Sequence, residues 1–297
     1  MIDDELIISL APTGMVSSRD QSPHIPISIS EIVEQTHAAY ECGITMLHLH
    51  ARGINGQPTA SVEVYAELIR KIRAFGPDLV ICVSLSGRFE PSIESRSGPL
   101  DLEGNLKPDA GSLTLSSMNF TRSESVNAPD TVRRLAAYMQ EKGILPELEI
   151  FDVGMANYAR YLIAKKIIPT PCYANIILGN IASAQLEFTQ LGAIVNHLPD
   201  NCLWSLGGIG NTQLSANSLA IAMGAGVRVG LEDNLYWDTG RSRLATNQLL
   251  LKRIHDLAEI HQRRIMSPAV FRRKFNLSAG SGHYGFHKAE TGLVLAG

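Results

Sequence analysis

Three features of the chain predict an α/β fold of the (β/α)8, or TIM-barrel, type. Its 297 residues fit one such domain, which typically runs to about 250 residues plus insertions. Short apolar runs alternate with longer segments of helical period, and eight such runs can be counted. The open doubly wound sheet is the alternative, but its usual GxGxxG turn is missing after the first run, which ends in Ala11-Pro12-Thr13-Gly14.

In chain order, ELIISLAP reads as the first strand. The segment SISEIVEQTHAAYECG follows as a helix, with Ser28 or Ser30 as cap before Glu31 and Gly43 at the stop. ITMLHLHA is the second strand, and SVEVYAELIRKIRAFG a helix halted at Gly76. DLVICVSLSG is the third strand and leads into a Gly/Pro/Ser-rich excursion across 88–110. GSLTLSS is the fourth, after which Pro129-Asp130 opens a helix through Met139 that Gly143 brings to an end. ELEIFDVG, CYANIILG, NCLWSLGG and GVRVGLED complete the set. One catalytic domain over 1–277 is expected. The tail 278–297, with its Gly, Ser and His residues, reads either as an addition from cloning or as an oligomer-contacting arm.

A composition 45% hydrophobic and 19% charged is that of a globular protein, and a formal net charge of −3 gives no footprint for nucleic acid or an anionic membrane surface. A small-molecule partner is favoured. Cys42, Cys82, Cys172 and Cys202 are widely spaced without a CxxC pair, which fits a reducing cytoplasm rather than a disulfide framework. The opening MIDDELIISLAPTG is acidic where a secretion signal is basic, and no apolar run approaches the ~18 residues of a membrane span. A cytoplasmic location is therefore expected.

The period of two in a strand identifies the chemistry. In MLHLHAR, Leu47 and Leu49 face the covering helices while His48 and His50 face the barrel axis. In the eighth strand, Val227, Val229 and Leu231 form the apolar face, and Arg228, Gly230 and Glu232 the other, with Gly230 leaving room between cation and carboxylate. The second and eighth strands both flank the first in a closed barrel. His48, His50 and Glu232 can then form a two-imidazole, one-carboxylate set suited to Zn²⁺ with open positions, although a bare HxH also fits two ordinary buried histidines. Cys82, Ser84 and Ser86, then Ser112, Thr114 and Ser116, then Glu147 and Glu149, line up inward on the third, fourth and fifth strands. Such polar groups at strand ends read as substrate contacts, while a backbone hydrogen bond is the commoner role of any single Ser or Thr. Gly207-Gly208-Ile209-Gly210-Asn211 opens onto a helix near Thr212, so Gly208, Gly210 and Asn211 are candidate anion-binding positions.

APTG at 11–14, HLHAR at 48–52 with NGQPT at 55–59, SMNF at 117–120, FDVG at 151–154 and VRVGLED at 227–233 together resemble the β-keto acid cleavage enzyme family, from about residue 5 to 265. The resemblance implies a zinc-bound, homo-oligomeric barrel that condenses a β-keto acid with acetyl-CoA, giving acetoacetate and an acyl-CoA. It implies His48, His50 and Glu232 as metal ligands, Asp233 as base and Arg228 as its partner. Ser84 and Ser112 match substrate-contacting hydroxyls, and Glu149 a further acidic position at the substrate. Three departures stand out. Met15-Val16 replaces an acidic position of the member acting on an amino substrate, so a substrate with an uncharged or anionic far end is expected. Asn211 stands where the family often has Arg, and SGRFEPSIESRSG is less glycine-rich, placing Arg88 where it can reach a second acidic group.

Rival readings are a zinc-dependent amidohydrolase-like hydrolase, a metal-dependent aldolase on the same barrel, and a non-catalytic ligand-binding barrel. The hydrolase pattern carries HxH on the first strand and further inward histidines on the fifth and sixth. ELEIFDVG and CYANIILG contain none.

Overall fold

The computed structural model describes residues 4–89, 91–278 and 282–286. Eight parallel strands close into a barrel in sequence order: β1 (Ile8–Leu10), β2 (Met46–Leu49), β3 (Val80–Val83), β4 (Ala110–Thr114), β5 (Leu145–Ile150), β6 (Cys172–Leu178), β7 (Cys202–Gly208) and β8 (Gly226–Val229). Closure is made where Val227, Arg228 and Val229 pair with Ile8, Ser9 and Leu10. Strands are shorter than their apolar runs. Pro12 has no amide to extend β1, and Ser84 and Ser86 lie past the last paired residue of β3.

The helices that alternate with the strands are α1 (Ile29–Cys42), α2 (Val62–Arg73), the short α3 (Ile93–Ser97), α4 (Pro129–Lys142), α5 (Val153–Ala164), α6 (Phe188–His197), α7 (Thr212–Ala222) and α8 (Asn247–Ile260). Ser28, not Ser30, caps α1, in a capping box completed by Glu31. Gly43 (φ 94°) and Gly143 (φ 67°) take the positive φ that ends α1 and α4.

Two cores follow from the strand alternation. Leu47, Leu49, Ile81, Val83, Leu148 and Ile150 point outward into the layer between strands and helices. Met46, Val80, Cys82, Ala110, Leu145, Tyr173 and Leu203 point inward and meet Met266, Phe271 and Phe275. The last two belong to, or follow, α9 (Pro268–Lys274), which plugs the barrel at the end where the strands begin. Apolar packing fills that end and leaves the polar side chains to the other.

A buried ionic cluster locks the plug. Asp109 accepts from Arg73 Nη2 at 2.7 Å and from Arg272 Nη1 and Nη2, both at 2.8 Å. The Tyr284 ring lies 3.6 Å from the Arg73 guanidinium carbon, and Phe286 N donates to Gly143 O at 2.8 Å. Residues 282–286 therefore pack on the barrel rather than beyond it. Residues 279–281 and 287–297 of the tail lie outside the described residues. Among the described residues, no helix is long and apolar enough to cross a membrane.

Candidate active site

At the C-terminal end of the strands, His48 and His50 are both buried and their Nε2 atoms stand 3.2 Å apart. Glu232 joins them from the turn after β8, its Oε1 3.1 Å from His50 Nε2. Two glycines make this possible. A Cβ at Gly14 would lie 2.6 Å from Glu232 Cγ, so the Gly14 that follows β1 clears the space for the carboxylate. At Gly230, φ is +150° and a Cβ would fall 2.0 Å from Ala11 O. The glycine thus serves close approach of β8 to the chain after β1, not clearance between Arg228 and Glu232 as the sequence suggests. Asn247 pins the two segments: its Oδ1 accepts from Leu231 N at 3.0 Å and its Nδ2 donates to Pro12 O at 2.9 Å.

Beneath this trio lies Glu147, fully buried. Its carboxylate accepts from His48 Nδ1 at 2.7 Å and from the Cys82 thiol at 2.8 Å, and also from the Asn175 amide. Burial disfavours charge at both His48 and Glu147, yet their mutual attraction prevails and holds His48 above its ordinary value and Glu147 below it. Burial pushes the Cys82 thiol well up, so it is a neutral donor rather than a thiolate. With Nδ1 committed to Glu147, His48 presents Nε2 to the cluster above, the arrangement that orients a metal-binding imidazole.

Arg228 is buried among carboxylates. Its Nε and Nη2 donate to Asp233 at 2.9 and 3.3 Å, Nη2 stands 2.8 Å from Glu232 Oε1, and Nη1 stands 4.0 Å from Glu149 Oε1. Thr114 Oγ1 donates to the other oxygen of Glu149 at 2.5 Å. Burial opposes the guanidinium charge, but Asp233 and Glu232 hold Arg228 well above its usual value. Burial raises Glu232, and the pull of Arg228 and both histidines outweighs it, so that carboxyl is lowered. At Asp233 burial, reinforced by Glu232, wins over Arg228, and the carboxyl is raised. Glu232 Oε2 and Arg228 Nη1 are buried without a hydrogen-bond partner among the described residues. The ligand atoms of His48, His50 and Glu232 lie within 4.8 Å of one another. Two imidazole nitrogens and an unsatisfied carboxylate oxygen, with more buried carboxylates than cations around them, fit a bound divalent cation of the zinc type.

A cavity of ≈ 610 Å³ opens over the cluster; His50, Glu149, Arg228, Glu232 and Asp233 line it, with Ser84 and Ser86 on its wall. Ser112 is apart from that wall: its buried hydroxyl accepts from Leu85 N at 3.0 Å, and Thr114, two residues on, is the wall residue of β4. In the β7–α7 loop, a Cβ at Gly208 would sit 2.7 Å from Thr212 carbonyl carbon, so this glycine lets α7 pack against its strand. Gly210 N donates to Asp233 O at 2.7 Å, and the amides of Ile209, Thr212 and Gln213 are likewise spent on backbone carbonyls. Asn211 does not cap α7; its side chain bonds Thr239 O and Arg241 Nε at 3.0 and 3.3 Å. Only Ile209 of this loop reaches the cavity wall.

Sequence reasoning missed Asn175, the one amide among the residues of β6, whose inward parity with Tyr173 was the available signal. It also missed the hairpin of Met118–Asn119 with Glu124–Ser125, which carries Phe120 and Arg122 to the cavity. Arg96 braces that hairpin. Its guanidinium is buried and donates to Leu85 O at 2.7 Å, Val126 O at 3.3 Å and Asn127 Oδ1 at 2.8 Å.

A parallel (β/α)8 barrel with a two-histidine, one-carboxylate cluster and an Arg–Asp pair at the C-terminal ends of its strands is a TIM-barrel enzyme with a candidate metal centre. The profile of the β-keto acid cleavage enzyme family matches residues 5–277, and the chain belongs to that family. It is 32% identical over 279 residues to the 3-keto-5-aminohexanoate cleavage enzyme of Fusobacterium nucleatum, covering 92% of this chain and 98% of that one. It is 32% identical over 274 residues to the 3-oxoadipate:acetyl-CoA acetyltransferase of Cupriavidus necator, covering 91% and 94%. Among solved structures, the apo structure of ObcA superposes with a TM-score of 0.77 at 19% identity, over 87% of this chain and 66% of that one, a likeness of fold.

Proposed function

We propose that the chain catalyses a zinc-dependent condensation of a β-keto acid with acetyl-CoA, yielding acetoacetate and a new acyl-CoA. The observation that carries the reading is the Asp233 carboxylate, held by two donors of Arg228 on the wall of the same cavity as His50 and Glu232. The relatives named 3-keto-5-aminohexanoate cleavage enzyme and 3-oxoadipate:acetyl-CoA acetyltransferase support it. His48, His50 and Glu232 would hold the zinc, which when bound polarises a carbonyl oxygen as a Lewis acid. Asp233 takes the proton from the carbon between the two carbonyls, and its raised carboxyl, poised by burial, suits a proton acceptor. Arg228 fixes the direction of that carboxylate. Ser84, Ser86 and Glu149 contact the substrate from the wall, and Ser112 acts through the Leu85 amide it holds. Gly208 and Gly210 shape the loop that brings Ile209 to the wall, and the exposed Asn211 on that loop contacts the CoA portion.

The test is to incubate purified protein with a panel of β-keto acids, with and without acetyl-CoA, and weigh the acyl-CoA formed. Acetyl-CoA-dependent acyl-CoA is the expected result. Product released without acetyl-CoA would instead indicate a hydrolase or aldolase, and binding without turnover a ligand-binding barrel.

A further inference from the structure

Of the arginines that line the cavity, Arg88 and Arg122 make no ion pair among the described residues, and of these two Arg122 is exposed whereas Arg88 is half-buried. Arg52 donates to Gly56 O and Ser17 O at 3.0 and 2.9 Å, Arg96 braces the hairpin and Arg228 holds Asp233. Arg88 is half-buried, and its guanidinium carbon lies 3.3 Å from the centroid of the Phe120 ring. Among the described residues, no carboxylate oxygen comes within 4 Å of it, and its side chain donates no hydrogen bond to protein. Burial pulls its pKa below the ordinary arginine value, with Glu232 and Glu149 opposing from a distance. A guanidinium has five donors in a planar fork, and leaving them unmatched while partly desolvated is unfavourable. Contact with the face of Phe120 holds the guanidinium at the wall and leaves it without a hydrogen-bond acceptor among the described residues.

The cavity is therefore polarised. Glu149, Glu232 and Asp233 gather with Arg228, and Arg88 stands on the same wall beside Phe120, out of ion-pair distance of those carboxylates, with the exposed Arg122 at the same hairpin. Met15 and Val16, on the wall after β1, bring no opposing carboxylate.

We infer that Arg88, seated over the Phe120 ring, reads a carboxylate at the far end of the β-keto acid, so that the substrate class is the 3-oxodicarboxylic acids. The inference rests on the condensation reading for the reaction, and on geometry alone for the recognition. A carboxylate matches the guanidinium fork with two parallel charge-assisted hydrogen bonds, which a ketone or hydroxyl cannot supply.

The test pairs 3-oxohexanedioate with 3-oxohexanoate, which share length, keto group and C1 carboxylate and differ only at the far end. Wild-type kcat/KM should favour the diacid by about 10- to 100-fold. Arg88→Gln should remove that preference, lowering the diacid by the same factor while leaving the monoacid and the KM for acetyl-CoA within about twofold. Arg88→Lys should keep part of it, since charge remains without the fork. Equal loss on both acids would mean that Arg88 reads the shared C1 carboxylate, and a rise confined to the KM for acetyl-CoA would mean that it reads CoA phosphate. Either overturns the inference. A second arm measures binding of unreactive hexanedioate and hexanoate by calorimetry. Tighter hexanedioate binding that Arg88→Gln abolishes supports the assignment even if no acyl-CoA forms, which would be a failure of the reaction reading alone; equal binding of the two refutes it.

Discussion

The two ring nitrogens of His48 carry different duties. Nδ1 is tied to Glu147 and Nε2 faces His50. Removal of either histidine, as His48→Ala or His50→Ala, should abolish zinc retention in metal analysis of the purified protein; full occupancy in both variants would refute the ligand set. Glu147→Gln keeps shape but removes the charge that aligns His48, and should weaken metal affinity by about 10- to 100-fold in a chelator competition. Asp233→Asn should leave metal bound and lower turnover by about 10²–10⁴-fold, a result read by running metal analysis and acyl-CoA assay on the same preparation. The histidines were legible in the sequence because parity sorts the faces of β2, whereas Glu232 stands in the turn after β8, beyond the paired residues, where parity does not reach. Parity does not give depth. Glu147 and Glu149 share a face of β5, as Ser112 and Thr114 do of β4, yet two residues along a strand are about 6.6 Å. That step separates the buried partner of His48 from the carboxylate on the cavity wall, and the hydroxyl that holds Leu85 from the one that meets Glu149.

Strand ends, more than strand middles, decide where the functional groups stand. Gly230 sits at such an end against Ala11, and Gly230→Ala would drive a Cβ into that carbonyl in a backbone conformation L-residues rarely adopt. The first and eighth strands would have to separate. Lower thermal stability together with loss of zinc is expected, because Glu232 is only two residues away; unchanged melting and metal content would show that β8 can shift freely. The eight barrel strands could be read from alternation and the capping box of α1 from Ser28 and Glu31. The plug helix could not be placed, since SPAVFRRKF carries an amphipathic pattern like that of any covering helix. Its site beneath the barrel depends on contacts with Tyr173 and Asp109, remote in sequence. The hairpin bearing Phe120 has strands of two residues, too short for a periodic signal.

For the molecule as a whole, Asp109 joins three distant parts of the chain at the closed end of the barrel. Burial alone would raise its carboxyl, but Arg73 and Arg272 hold it below the usual aspartate value. A lowered folded-state value means that its stabilisation is complete above the unfolded-state value of about 3.9 and is lost as pH falls through the folded-state value. Asp109→Asn should cost about 3–5 kcal/mol at neutral pH by leaving two buried guanidiniums uncompensated, and the difference in Tm from wild type should narrow below about pH 4. A constant difference between pH 7 and pH 3 would show that packing, not charge, is what Asn disrupts. At the opposite end, Arg96 ties the segment after β3 to the hairpin through Leu85, Val126 and Asn127. Phe120 is thereby a prebuilt platform rather than a flap. A ligand arriving at this wall has little chain to immobilise, so its encounter rate should rise linearly with concentration in stopped flow, without the plateau that a slow folding-over step would impose.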